Sequence, residues 1–458
     1  MAKKRKFRQA DYAATESTQI TLGEALPEEH LARFIVGVVG LLDLSEIYGQ
    51  YSERGAPQGH PPYAPEVMLG LLLYGYATGV FSSRKIERAT YEAIPFRYIA
   101  GNMHPDHDTI NQFRKDFLEE LKGLFVQVLL MAHFMGYVKL GNISIDGSKV
   151  HADASKSKAV SYGRIEQMEK RLQQEIEALF ALADQAESEP ADDLDIDNEI
   201  GRRRKKMASL AQAKAVLDAR ARQRHAEEQA DYERKMAARR EEEARTGKRS
   251  RGRTPQPPEE SGPHDKDQYN FTDPESRIMK SGNNKGFEQA YNAQAAVEHE
   301  SRLIVGNTLA NHPNDKQEGV PTVQAIPAEL GTPDAAAMDT GYFSIQTIQA
   351  FEAMGIDPHI AIGRDRHPLE LHTRLAGEPE PPPEAADDKT KMAYKLRTQA
   401  GKALYALRKS TVEPVFGIIK EVMGFRQFSL RGLVAAAGEW NLVCLAYNLR
   451  RLHVLSYA

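Results

Sequence analysis

The chain carries one cysteine, Cys444, among 458 residues. That count excludes an internal disulfide and Cys-rich zinc sites, and it suits a reducing compartment. Long apolar runs are also missing. The longest, Leu124 to Val138, holds Gln127 and His133 and falls short of the roughly 20 residues a bilayer span needs; it reads as a buried helix. The basic start Met1-Ala2-Lys3-Lys4-Arg5-Lys6 has no apolar stretch behind it, which argues against a signal peptide. A soluble, cytoplasmic protein is expected. Nor is there an excess of positive charge, since 60 Lys and Arg face 64 Asp and Glu for a net −4. This sum does not exclude nucleic acid as a partner, because local patches decide phosphate contact. No internal repeat is visible.

Hydrophobic residues at 41% and aromatics at 8% suffice for real cores, and the length allows about two to four domains. From Pro27 to Phe134 the pattern is helical. Pro65 opens a helix through Tyr76, Ser82-Ser83 can cap a short one over Arg84 to Ala93, and Asp108-Thr109 can cap a long one from Ile110 to Met135. Arg84 and Lys85 put cations on the first turn of the short helix, as a DNA-docking helix or a solvated face would. His104-Pro105-Asp106-His107-Asp108 resembles a ligand cluster but suits a helix start equally. Strand texture follows at Tyr137 to Leu140 and Ile143 to Asp146. Residues 155 to 247 are then charged, Ala-rich and helical. Ile165, Met168, Leu172, Ile176 and Leu179 recur at helical spacing, as do Met207, Leu210 and Leu217, which predicts a helical hairpin or short coiled coil. After a Pro- and Gly-rich linker, strands are expected at Gln289 to Val297, Leu303 to Leu309 and His359 to Gly363. Helices are expected within Asp315 to Leu330, over Ser344 to Met354, and over much of Met392 to Leu455; Trp440 reads as a core residue.

Two short apolar runs end in the same way, Ile143-Ser144-Ile145-Asp146-Gly147 and Ala335-Ala336-Ala337-Met338-Asp339-Thr340-Gly341. An Asp-Gly after a strand is most simply a turn. Two carboxylates brought together at sheet edges would instead repel, and sharing divalent cations keeps both ionised. Glu413 is the candidate third acid. It can also close a capping box with Ser410. Against that, Glu413 and Lys420 lie seven residues apart, on one helix face within about 20°.

At this point the chain resembles a known family. Tyr405, Arg408, Glu413 and Lys420 look like the Tyr–Arg–Glu–Lys signature helix of the DDE transposases of bacterial insertion sequences, in the branch with a helical insertion after the first catalytic strand. The matching blocks are Pro105-Asp106-His107-Asp108-Thr109-Ile110-Asn111-Gln112-Phe113-Arg114, Ile145-Asp146-Gly147-Ser148-Lys149, Thr272-Asp273-Pro274-Glu275-Ser276-Arg277, Tyr291-Asn292-Ala293-Gln294, Asp339-Thr340-Gly341-Tyr342 and Val412-Glu413-Pro414-Val415-Phe416-Gly417. The resemblance implies an α/β, RNase H-like mixed sheet flanked by helices, with an all-helical N-terminal domain and a long helical-hairpin insertion. The corresponding division is a basic tail over 1–25, a helical DNA-binding domain over 26–135, a catalytic domain over 136–154 and 265–458, and the insertion with its linker over 155–264. It further implies that Asp146, Asp339 and Glu413 are catalytic and hold two Mg²⁺ ions, for which Mn²⁺ can substitute. No small-molecule cofactor or membrane is involved. The partners are double-stranded DNA, as element ends and target, and a second copy in a homodimer. Tyr405, Arg408, Lys409, Lys420, Arg426, Arg431, Arg84, Lys85 and Arg114 are the candidate DNA contacts. One departure stands out. The signature arginine belongs four residues before Glu413, where Lys409 sits; Arg408, five before, would lie about 140° off the Glu413 face of a continuous helix. Either Lys409 takes the role or the backbone before Pro414 is irregular. A transposase-derived DNA-binding protein and an RNase H-like nuclease without joining activity are the alternatives; the presence of all three acids favours an enzyme.

Overall fold

The structure, a computed structural model, describes residues 21–53, 62–186, 195–250, 252–259, 261–280, 286–363, 379–384 and 386–457. The helical stretch forms α1 (Leu31–Val39), α2 (Ser45–Glu53), α3 (Pro65–Thr78), α4 (Ser83–Glu92), α5 (Ile94–Ile99), α6 (His107–Asp116) and α7 (Glu120–Phe134). Pro65 opens α3, where its missing N–H costs nothing, and Gly79 closes it at φ 85°. The single helix expected from Ile110 to Met135 is two. Asp106, rather than Asp108 or Thr109, caps α6 by accepting from the Thr109 N–H at 2.9 Å. The helix breaks at Phe117 (φ −115°, ψ 25°), which is buried against the rings of Tyr51 and Phe113.

The next elements are β1 (Asn142–His151), β2 (Ala159–Ser161), α8 (Tyr162–Ala186), α9 (Ile196–Thr246), β3 (Gln268–Asn270), β4 (Arg277–Lys280), β5 (Phe287–Glu298), β6 (Ile304–Ala310), α10 (Gly319–Gln324), β7 (Ala335–Met338), α11 (Ile345–Ala353), β8 (Asp357–Ile360), α12 (Asp388–Lys395), α13 (Gln399–Gly417) and α14 (Leu433–Ser456). The expected strand at Tyr137 to Leu140 is irregular chain. The main sheet runs β6-β5-β1-β7-β8, with β4 beside β6 on the far edge of β5. β5 pairs antiparallel with β1 and β6, whereas β1, β7 and β8 are parallel. This is the RNase H-like mixed sheet expected from the sequence. β7 is buried on both faces, and its run of three alanines lets helices approach the sheet closely.

The insertion is a long helical excursion, as expected. α8 and the first half of α9 run antiparallel, with Arg203 reaching Glu175 at 3.0 Å and Lys214 reaching Glu169 at 3.3 Å. Ile165, Leu172, Leu210, Ala213, Leu217 and Tyr269 form a hydrophobic cluster of their own. With 51 residues, α9 is about 76 Å long. Its second half leaves α8 and lies along the returning chain, where Arg224 pairs with Asp267 at 3.0 Å. Among the described residues no helix is long and apolar enough to cross a membrane.

One continuous core joins the N-terminal helices to the sheet. At its centre Glu439 of α14, fully buried, accepts from the Tyr76 hydroxyl at 2.7 Å and from the N–H groups of Ser429 and Leu430 at 2.8 and 2.9 Å. Arg114 stands 3.8 Å from the same carboxylate and donates to Tyr76 and Ser429. This corrects the expectation that Arg114 contacts DNA: its side chain is buried in a core ion pair. Glu439→Ala would strand the Arg114 charge, so we expect a loss of about 3–5 kcal/mol in denaturant unfolding, with no compensating gain from added salt.

Candidate active site

β1 carries Asp146 in mid-strand, not at a strand end. Its antiparallel pairing with β5 continues five residues further, to His151 opposite Ala290, so Asp146-Gly147 is no hairpin turn. β7 does stop where expected. Its register sets Met338 beside Ile145, and the next residues, Asp146 and Asp339, therefore stand on neighbouring parallel chains. Each aspartate is held by the glycine near it in sequence. The Gly147 N–H donates to Asp146 Oδ1 at 2.8 Å, and the Gly341 N–H donates to Asp339 Oδ1 at 2.7 Å.

α13 supplies the third acid. Its true start is Thr398, whose hydroxyl accepts from the Gly401 N–H at 3.0 Å. Ser410 and Glu413 are thus helix-interior residues, and the capping-box reading of Glu413 falls. Small buried groups seat the helix on the strand, with Thr411 Oγ1 donating to Ser144 Oγ at 3.1 Å. Arg408 then reaches across. One guanidinium nitrogen contacts Asp146 Oδ2 at 3.1 Å and another contacts Glu413 Oε1 at 3.0 Å. Lys409 is exposed on the helix, so of the two basic residues it is Arg408 that enters the site. The 140° offset is overcome by the length of the arginine side chain, without a break in α13 at Pro414. The Arg408 guanidinium lies 5.8 Å from the centre of the Tyr405 ring. Lys420 sits in a π-helical turn over 418–422 and donates to Ser148 Oγ and to the Lys149 carbonyl on β1. Burial holds its ammonium below the usual lysine range, helped by Arg426 and Lys149.

The remaining candidates lie elsewhere. Arg426 and Arg431 are exposed beyond the π turn, beside Glu421 and Asp153 respectively. Arg84 and Lys85 are exposed on α4. One residue that the sequence reading missed stands under the site: Asp315, after β6, bonded to Lys149, Asn292 and Gln294. Its only sequence signal is an acid between a strand and a helix.

A "Transposase DDE domain" family model matches residues 219–449, about half of the chain, and a "Transposase domain (DUF772)" model matches residues 20–116. The chain belongs to the DDE transposases. No curated protein and no solved structure matches it. In this insertion-sequence transposase the DDE match contains Asp339 and Glu413 and begins after Asp146, within α9.

Among the described residues no three acids, histidines or cysteines stand close enough together to hold a cation; the Arg408 guanidinium occupies the space between two of the acids. The donor chemistry nonetheless fits a hard divalent ion. Burial pushes the Asp146 carboxyl up to about 6 against the opposing pull of Arg408, and Asp339 and Asp315 push in the same direction as burial. A cation would relieve that repulsion. The shift has a sign for stability. An unfolded Asp titrates near about 3.9; between there and about 6 the folded transposase holds a proton that the unfolded chain has lost, so stability falls as pH rises through that window. We expect metal-free Asp146→Asn to be more stable than wild type at pH 8, by up to about 3 kcal/mol, with the difference gone by pH 4 in denaturant unfolding.

Proposed function

We propose that this transposase binds the terminal inverted repeats of its insertion sequence and catalyses Mg²⁺-dependent DNA cleavage and strand transfer. The observation that carries this reading is Arg408 bridging Asp146 and Glu413 beside Asp339. Two acids far apart in sequence share one guanidinium, and the third stands at the end of the strand next to the first, in a chain of the DDE family. Asp146, Asp339 and Glu413 would hold two Mg²⁺ ions, or Mn²⁺. Bound there, the ions supply Lewis-acid polarisation of a phosphate and a lowered pKa for the attacking water. Arg408 sets one positive charge between two of the carboxylates in the metal-free protein and would be available to the scissile phosphate where those carboxylates held metal. Lys420, half-buried against β1, contributes a second fixed positive charge, and Tyr405 packs beside Arg408 to limit its swing. Water or a DNA 3′-hydroxyl attacks the phosphorus in line and the opposite oxygen leaves, so no covalent protein–DNA intermediate is needed.

Residues 26–135 serve as the DNA-binding part. Arg84 and Lys85 on α4 meet phosphates there, and Arg426 and Arg431 extend the contact past the site. A homodimer presents two such sites to two element ends.

Asp146→Asn, Asp339→Asn and Glu413→Gln are each expected to lower Mg²⁺-dependent cleavage of an end-containing duplex by about 10²–10³-fold or more, while gel-shift affinity stays within a few-fold. Full cleavage by Asp146→Asn would sink the site assignment. A duplex with a pre-cut 3′-hydroxyl distinguishes joining from plain nuclease action; cleavage without joined product would favour the nuclease. For the helical part, Arg84→Ala combined with Lys85→Ala should weaken end binding and flatten the log Kd–log salt slope by about 2. An unchanged slope would remove α4 from the DNA interface.

A further inference from the structure

Asp315 follows β6 and lies on the face of the sheet opposite α13. Side chains alternate along β1, so Asp146 and Ser148 face α13 while Gly147 and Lys149 face the other way. Asp315 Oδ1 accepts from Asn292 Nδ2 at 2.6 Å, Gln294 Nε2 at 2.9 Å and Lys149 Nζ at 3.3 Å. Asn292 and Gln294 are the β5 register partners of Lys149 and Gly147. The Tyr342 hydroxyl donates to the other end of the Gln294 amide. Asp315 therefore ties β1, β5 and the turn after β7 together at one point.

That point is defined by two glycines. A Cβ on Gly147 would lie 2.7 Å from Asp315 Oδ1 and 2.2 Å from Gln294 Nε2, and a Cβ on Gly341 would lie 3.4 Å from Asp315 Oδ2. Asp315 is thus packed against the Cα atoms of both residues. These are the same two glycines whose N–H groups hold the Asp146 and Asp339 carboxylates. We propose that Asp315 is a positioning residue for the phosphoryl-transfer site: from behind the sheet it braces Gly147 and Gly341 together and so fixes the separation and aim of Asp146 and Asp339. The inference rests on the reading of those two acids as metal ligands. It goes beyond that reading by giving the pair a fourth carboxylate that acts through its neighbours and not by ligation.

The test uses the full chain and two readouts, Mn²⁺ binding by calorimetry without DNA and Mg²⁺-dependent cleavage. Asp315→Ala removes the brace and should weaken Mn²⁺ binding and slow cleavage by about tenfold or more each, the range for groups that orient metal ligands. Asp315→Asn keeps an oxygen that can accept from Asn292 and Gln294 and should restore both to within about threefold of wild type. Wild-type behaviour of Asp315→Ala overturns the proposal. So does an Asp315→Asn as defective as the alanine variant, since that would mean the charge itself is required. If Asp315→Ala shows no melting transition, Asn292→Ala, which removes the 2.6 Å donor, decides in its place: a loss of Mn²⁺ affinity is expected, and none refutes the brace. Asp146→Asn separates the two levels. If it binds Mn²⁺ as wild type does, the metal-site reading fails; if it does not and Asp315→Ala does, only the present inference fails.

Discussion

A single buried carboxylate connects the two halves of this protein. Glu439 on α14 gathers the Tyr76 hydroxyl from α3, the Arg114 charge from α6 and two backbone N–H groups from the chain before α14. A charge so deep in the core is tolerable only when its oxygens are fully occupied. Its neighbour Trp440 donates its indole N–H to the Gln294 carbonyl at 3.0 Å, and the Gln294 side chain belongs to the network beneath the acids. The N-terminal helices are therefore locked onto α14 by polar contacts, and α14 is locked onto β5. The position of the N-terminal helices relative to the candidate site is set by these bonds as well as by hydrophobic packing.

The charge balance at the site runs the other way. Asp146 and Glu413 share Arg408, and Asp315 pairs with Lys149 beneath them, while Lys420 is held against β1. Asp146 remains under-compensated, as its raised pKa records. Such an arrangement lowers stability and is sustained by the surrounding core, a cost that tends to gather where charge is to be exchanged for a ligand. Arg408 is well suited to that exchange. Its planar fork reaches two acids at once, and the same guanidinium lies beside the Tyr405 ring.

Much of this was legible in the sequence. Strand texture located β5 and β6, a short apolar run located β7, and helical texture located α3, α11 and the α8–α9 hairpin, because each carries enough apolar surface to be buried. The family signature named Asp146 and Glu413, which share Arg408, and Asp339 at the end of the strand next to Asp146. Four features were not legible. β1 runs through Asp146 because β5 pairs with it over the whole length, a long-range constraint that no local pattern carries. Ser410 and Glu413 match a capping box by spacing, yet Thr398 had already opened that helix twelve residues earlier. The offset of Arg408 from Glu413 is one of Cα directions only, whereas a long side chain can reach a partner well off its own helix face. Arg114 lies in the last turn of a polar helix that reads as solvent-facing; its buried partner, Glu439, is more than three hundred residues away.

The excursion between β1 and β4 raises a topological question, since more than a hundred residues separate strands that belong to one sheet. The answer lies at its base. β2 and β3 pair antiparallel, Ala159 with Asn270 and Ser161 with Gln268, and the Tyr162 N–H donates to the Asp267 carbonyl at 2.8 Å. The outgoing and returning chains are thus clamped beside each other before α8 starts. A two-stranded ladder is marginal by itself. Here Tyr269 of β3 sinks into the α8–α9 cluster, and Asn270 donates to the Ser155 carbonyl at 2.9 Å. Closure of so long a loop costs only slightly more than closure of a short one, because the entropy grows with the logarithm of length. The sheet can therefore accommodate the insertion without moving Asp146, provided the clamp holds. The insertion has its own small core and shares little with the main one, so its length and surface are free to vary independently of the acids it separates.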